Sequence, residues 1–160
     1  MVNRTETQLF KHPSDPAPGF YVSTTSLEKT TVVRKDPLRY VNAEAINLIV
    51  LPGGLNLGEK LGDFAVVIHP GTQSVSYAVY ADVGPAHKIG EGSIALANKL
   101  GLPSSPKTGG VGHGIVYIVF PGSAQTFPLS QADNKTGAAL FAKWGGLDRA
   151  KNSFSEINWS

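Results

Sequence analysis

Short apolar runs broken by proline and glycine organise the chain. Asn47-Leu48-Ile49-Val50-Leu51 is stopped by Pro52-Gly53-Gly54, and a run of this length between turn residues reads as a buried strand. Phe64–Ile68 and Ser74–Tyr80 are β-branched and aromatic runs separated by His69-Pro70-Gly71-Thr72-Gln73, the pattern of a β-hairpin. In the second run Val75, Tyr77 and Val79 share one face, with Ser76, Ala78 and Tyr80 on the other. Continued alternation puts Asp82 on the face of Ala78 and Tyr80. Gly114–Phe120 is an almost wholly apolar strand closed by Pro121-Gly122. Phe20–Thr25 opens the β-prone material, and the β-branched stretch Thr30–Arg34 gives way to the loop signal Lys35-Asp36-Pro37.

Helical spacing is confined to two places. Glu91–Leu100 carries Ile94, Ala97 and Leu100 on one side, with Gly101 as its stop and Pro103 beyond. A second helix is expected over roughly Asp133–Trp144, ended by Gly145-Gly146. From Leu147 the tail is mostly polar, and Phe154, Ile157 and Trp159 are too few to set a period. About six short strands, two small helices and no βαβ rhythm predict a mainly β fold of small-barrel type. Residues 1–19, polar and ending in HPSDPAPG, read as an extended arm, and residues 20–160 as one domain. No internal repeat is present at a fixed period.

Composition narrows the function. The 160 residues are enough for a single domain with a sizeable core, and 18 glycines with 11 prolines fit many turns between short strands. Without cysteine there is no disulfide, thiolate nucleophile or cysteine metal site. The four histidines (His12, His69, His87, His113) lack metal-motif spacing, so no metal or other cofactor is expected. The net charge of +2 is spread without blocks, which speaks against nucleic-acid partners. No run approaches transmembrane length, and Met1–Pro13 lacks the apolar centre of a signal peptide. An exported protein would therefore stand here in mature form.

Candidate chemistry centres on residues 80–93. Asp82 ends an apolar run, Gly84-Pro85 breaks it, and Glu91 opens the expected helix. Two carboxylates on rigid elements across a turn are the minimum equipment for glycoside hydrolysis, set roughly 6.5–9.5 Å apart where water must attack directly. The same pattern fits a turn-forming Asp82 and a Glu91 that complements a helix dipole. Gly109–Gly114 lacks the lysine and hydroxyl of a phosphate loop and enters a strand rather than a helix. It reads as backbone passing close to another segment or to a ligand. No serine lies in a GxSxG context. Glu44, Tyr80, Lys88 and His113 are candidate substrate-binding residues. Each also has a plain structural reading: Glu44 and Lys88 as solvated charges, Tyr80 as packing, His113 as a structural histidine.

Three segments together point further: Leu61–Val67, Ala81-Asp82-Val83-Gly84-Pro85 leading to Lys88-Ile89-Gly90-Glu91-Gly92-Ser93-Ile94, and Gly114–Ser123. In this order and spacing they resemble the chitosanases of glycoside hydrolase family 75. Arg39–Glu44, Ile49–Pro52 and Trp144-Gly145-Gly146 fit the same pattern, so the resemblance covers roughly residues 20–146. It implies a secreted endo-chitosanase, acting without a cofactor and with inversion on the glucosamine polymer chitosan. It places the essential carboxylates at Asp82 and Glu91, with Glu91 as general acid and Asp82 as base or stabilising carboxylate. It also implies a six-stranded barrel of the double-psi type and a monomer. Two other readings of the residues stay open: a non-catalytic polysaccharide-binding barrel of the expansin sort, and a hydrolase of another amino-sugar polymer such as peptidoglycan.

Overall fold

The computed structural model describes residues 24–105, 108–124, 126 and 134–160. The arm expected over 1–19 and the start of the β-prone run at 20–23 lie outside them. Five strands form one sheet: β1 (Leu48–Pro52), β2 (Phe64–His69), β3 (Ser74–Gly84), β4 (Glu91–Gly92) and β5 (Val116–Val119). Their order is β4-β1-β3-β2-β5. β1 runs parallel to β3, and the other neighbours are antiparallel. The expected hairpin is β2–β3. It turns through a 3-10 segment at Pro70–Thr72 and through Gln73, which takes a left-handed φ of 55°.

β1, β2, β3 and β5 carry apolar groups on both faces. On one face Ile49, Leu51, Ala65, Val67, Ala78 and Tyr80 pack under the helix α1 (Ile94–Lys99), which buries Leu96 and its cap residue Leu100. On the other face Val66, Ile68, Val116 and Ile118 are covered by α2 (Asn134–Trp144) and α3 (Gly146–Ser153), through Phe141 and Ala150. Farther along that second face, Leu48, Val79 and Ala81 pack with Val41, Leu27 and Ile46.

Two features differ from the sequence reading. Among the described residues the sheet is open and has five strands, not a closed six-stranded barrel. Its outer strands β4 and β5 do not pair with each other, and β4, at two residues, is too short to carry a ladder around. The described residues also hold three α-helices rather than two. α3 follows α2 at once because Gly145 and Gly146 adopt φ of 117° and 60°, a reversal that only glycine makes cheaply. Its residues Asp148, Arg149, Lys151 and Asn152 hide the helix from a hydrophobic count. The helix is fastened by the Arg149 guanidinium 4.7 Å above the Trp144 ring, which itself stacks on Phe141 at 6.0 Å.

Candidate active site

The position of Asp82 is decided by one extra residue in β3. Ile49 pairs with Tyr80, but the next residue, Val50, pairs with Asp82, so Ala81 is bulged out of register. Strand side chains alternate faces, so one inserted residue reverses every side chain beyond it. Asp82 therefore lies on the face opposite Tyr80, with Val50, and not on the face that simple alternation assigned to it. Bulges that re-aim a side chain are common beside active sites.

Glu91 reaches the same face from the other side. It belongs to β4 rather than to a helix, and it too is paired with Val50. Ser93 causes the shortening of the helix. Its Oγ accepts from the Leu96 amide at 3.1 Å as the α1 N-cap, and from the Leu48 amide at 3.1 Å. Helix α1 thus starts only at Ile94, and the residues before it are free to pair with β1. Asp82 and Glu91 consequently flank Val50 on one face, two inter-strand steps or roughly 10 Å apart at the backbone.

The two carboxylates have different neighbours. Asp82 Oδ1 accepts from both the amide and the hydroxyl of Ser26, at 2.8 and 2.7 Å. Glu91 Oε1 accepts from the Lys88 ammonium, three residues earlier. The Glu91 carbonyl accepts from the Tyr117 hydroxyl at 3.2 Å. That hydroxyl is pushed up to about 12, first by burial and then by the negative charge of Glu91, so it stays a donor across ordinary pH. The Tyr80 hydroxyl is also raised, mainly by burial and further by the charges of Glu59 and Asp82. Gly84 keeps open the space between Val50 and Glu91: a Cβ there would lie 3.0 Å from Val50 Cγ1 and 3.4 Å from Glu91 Oε2.

A cleft of about 830 Å³ passes over this edge of the sheet. Asp82, Lys88 and Glu91 line it together with α1 residues, Tyr117 and the loop residues Pro103–Ser105 and Gly109–Gly112. The glycine-rich stretch is therefore a cleft wall, in keeping with its reading as close-passing backbone. Among the described residues the charged lining groups are two carboxylates and one ammonium, whereas the chain as a whole has a formal charge of +2.

The other candidates divide. Lys88 lines the cleft and is paired with Glu91. Tyr80 is buried in the core under α1. Glu44 is exposed, its amide donating to Asn42 Oδ1 at 3.0 Å, and His113 is exposed as well; neither lines the cleft. Ser26 was not legible as a site residue, because its partner lies 56 residues away and no motif marks it. Nor was Val50, whose role between the carboxylates exists only through pairing.

No curated protein matches the chain. The family model described as fungal chitosanase of glycosyl hydrolase group 75 matches residues 31–143, a span that holds Asp82, Glu91 and all five strands. Given that coverage, the chain belongs to the group 75 fungal chitosanase family.

Proposed function

We propose that the protein hydrolyses the β-1,4 bonds of chitosan internally and with inversion, using Glu91 as general acid and Asp82 as general base. Family membership supports chitosan hydrolysis in general. The observation that carries the residue assignment is the shared pairing of Asp82 and Glu91 with Val50 on one sheet face, at the wall of one cleft. A backbone separation of roughly 10 Å leaves the carboxyls room for a sugar and an attacking water, the arrangement inverting glycosidases need.

In this mechanism Glu91 gives its proton to the glycosidic oxygen as the C1–O bond breaks. Asp82 takes a proton from the water that adds to C1 from the opposite side. With Lys88 on Oε1, the proton that Glu91 donates sits on Oε2, the oxygen facing the space above Gly84. Acidic side chains in the cleft suit a polycationic substrate. Lys88 is the one substrate-binding candidate that we retain, as the residue that balances the pair before substrate enters. A polymer of this size is met outside the cell, so we infer secretion. Among the described residues no helix is long and apolar enough to cross a membrane.

Conversion of Glu91→Gln or Asp82→Asn removes one proton-transfer group while keeping shape. Each should lower the release of reducing ends from chitosan by about 10²- to 10⁴-fold. Near-normal release by both variants would overturn the assignment.

A further inference from the structure

The Ser26 contact with Asp82 joins distant parts of the chain at a reactive group, and Ser26 precedes the family-matched span 31–143. Its hydroxyl has one proton to give. The Val83 amide donates to Ser26 Oγ at 3.3 Å, so this contact uses an oxygen lone pair, and the hydroxyl proton is directed to Asp82 Oδ1 at 2.7 Å. The Ser26 amide donates to the same Oδ1 at 2.8 Å. One carboxylate oxygen thus receives two donors, and the rotation of the carboxylate is fixed.

The segment that carries Ser26 is itself held on both sides. The Leu27 amide donates to the Ala81 carbonyl at 2.8 Å, beside the bulge. Thr25 Oγ1 donates to the Leu27 carbonyl at 2.7 Å and accepts from the Val41 amide at 3.0 Å. One residue farther along, Glu28 forms a two-point ion pair with Arg39, at 2.7 and 2.5 Å. The Arg39 guanidinium also donates to the Val32 carbonyl at 2.5 Å. Ser26 is exposed, so its side chain does not serve the core.

We propose that Ser26 is a positioning residue for Asp82: it occupies Oδ1 and leaves Oδ2 as the oxygen that takes the proton from water. This rests on the reading of Asp82 as the base. Without the Ser26 hydroxyl Oδ1 keeps only the amide donor, and the carboxylate is held less firmly about its χ2 axis. The in-line placement of water then suffers while polymer binding does not.

The test measures kcat and KM on chitosan for the wild type, D82N, S26A and S26T, with circular dichroism to check folding. Activity of the wild type together with inactivity of D82N establishes the reading beneath the proposal. S26A should then lose about 10- to 100-fold in kcat, with KM changed less than about twofold. S26T, which keeps the hydroxyl, should recover most of that loss. A folded S26A with wild-type kcat would overturn the proposal while leaving the Asp82 assignment standing. So would a loss confined to KM, or a folded S26T as impaired as S26A.

Discussion

Ala81 shows how much one residue decides. The alternation of Ser74–Tyr80 holds in the structure, with Val75, Tyr77 and Val79 on one face and Ala78 and Tyr80 on the other. A period of two contains no sign of an inserted residue, so alternation alone puts Asp82 on the wrong face. Its correct face follows only from pairing with β1, a contact across some thirty residues of chain that leaves no local trace. Ser26 is hidden for the same reason. Gly84 is the reverse case, a glycine legible as a turn that also makes room for chemistry. We expect Gly84→Ala to push on Val50 and Glu91 Oε2 and to lower kcat by about tenfold through displacement of the acid. Steady-state kinetics on chitosan checks this, and an unchanged rate would mean that the carboxylate has room to shift.

Elements were legible where β-branched residues are dense. β5 falls within the apolar run that predicts it, β1 and β2 each end one residue past theirs, and β3 continues from Tyr80 to Gly84. The match is good because strands buried on both faces need a continuous apolar stretch. β4 was not legible, because a two-residue strand has no pattern. The segment Ser26–Tyr40 is likewise an element only through its contacts, closed by the Glu28–Tyr40 bridge and the Glu28–Arg39 pair. The Arg39 hydrogen bond, helped by its charge, holds the Glu28 carboxyl below its ordinary 4.5. A carboxyl lowered on folding adds stability that is present above its unfolded value and lost as pH falls through the folded one. Wild type should therefore melt at a higher temperature than Glu28→Gln near neutrality. The gap should close as the pH is taken below 4.5, and thermal melts of both proteins across that range measure it. A gap independent of pH would place the contribution of Glu28 elsewhere.

At the scale of the molecule, the total charge misleads and its distribution informs. A formal charge of +2 does not suit a polycationic substrate, yet among the described residues the cleft lining sets two carboxylates against one ammonium. Attraction of this kind is screened by salt. KM for chitosan should rise with ionic strength while kcat holds, and Lys88→Gln should lower KM at low salt and steepen the dependence. Kinetics at several salt concentrations would show it, and a KM indifferent to salt would speak against electrostatic capture. The open sheet has its own consequence. Since β4 and β5 do not pair, the edge that carries Glu91 borders the cleft.

The proposed roles of Asp82 and Glu91, on either side of Val50, carry a stereochemical prediction, because an acid and a base with a water between them invert the anomeric carbon. Proton NMR of chitosan digestion, followed from the first minutes before mutarotation, reads the configuration of the newly released reducing ends. We expect the α-anomer to form first. First appearance of the β-anomer would contradict the arrangement of acid, base and water described here.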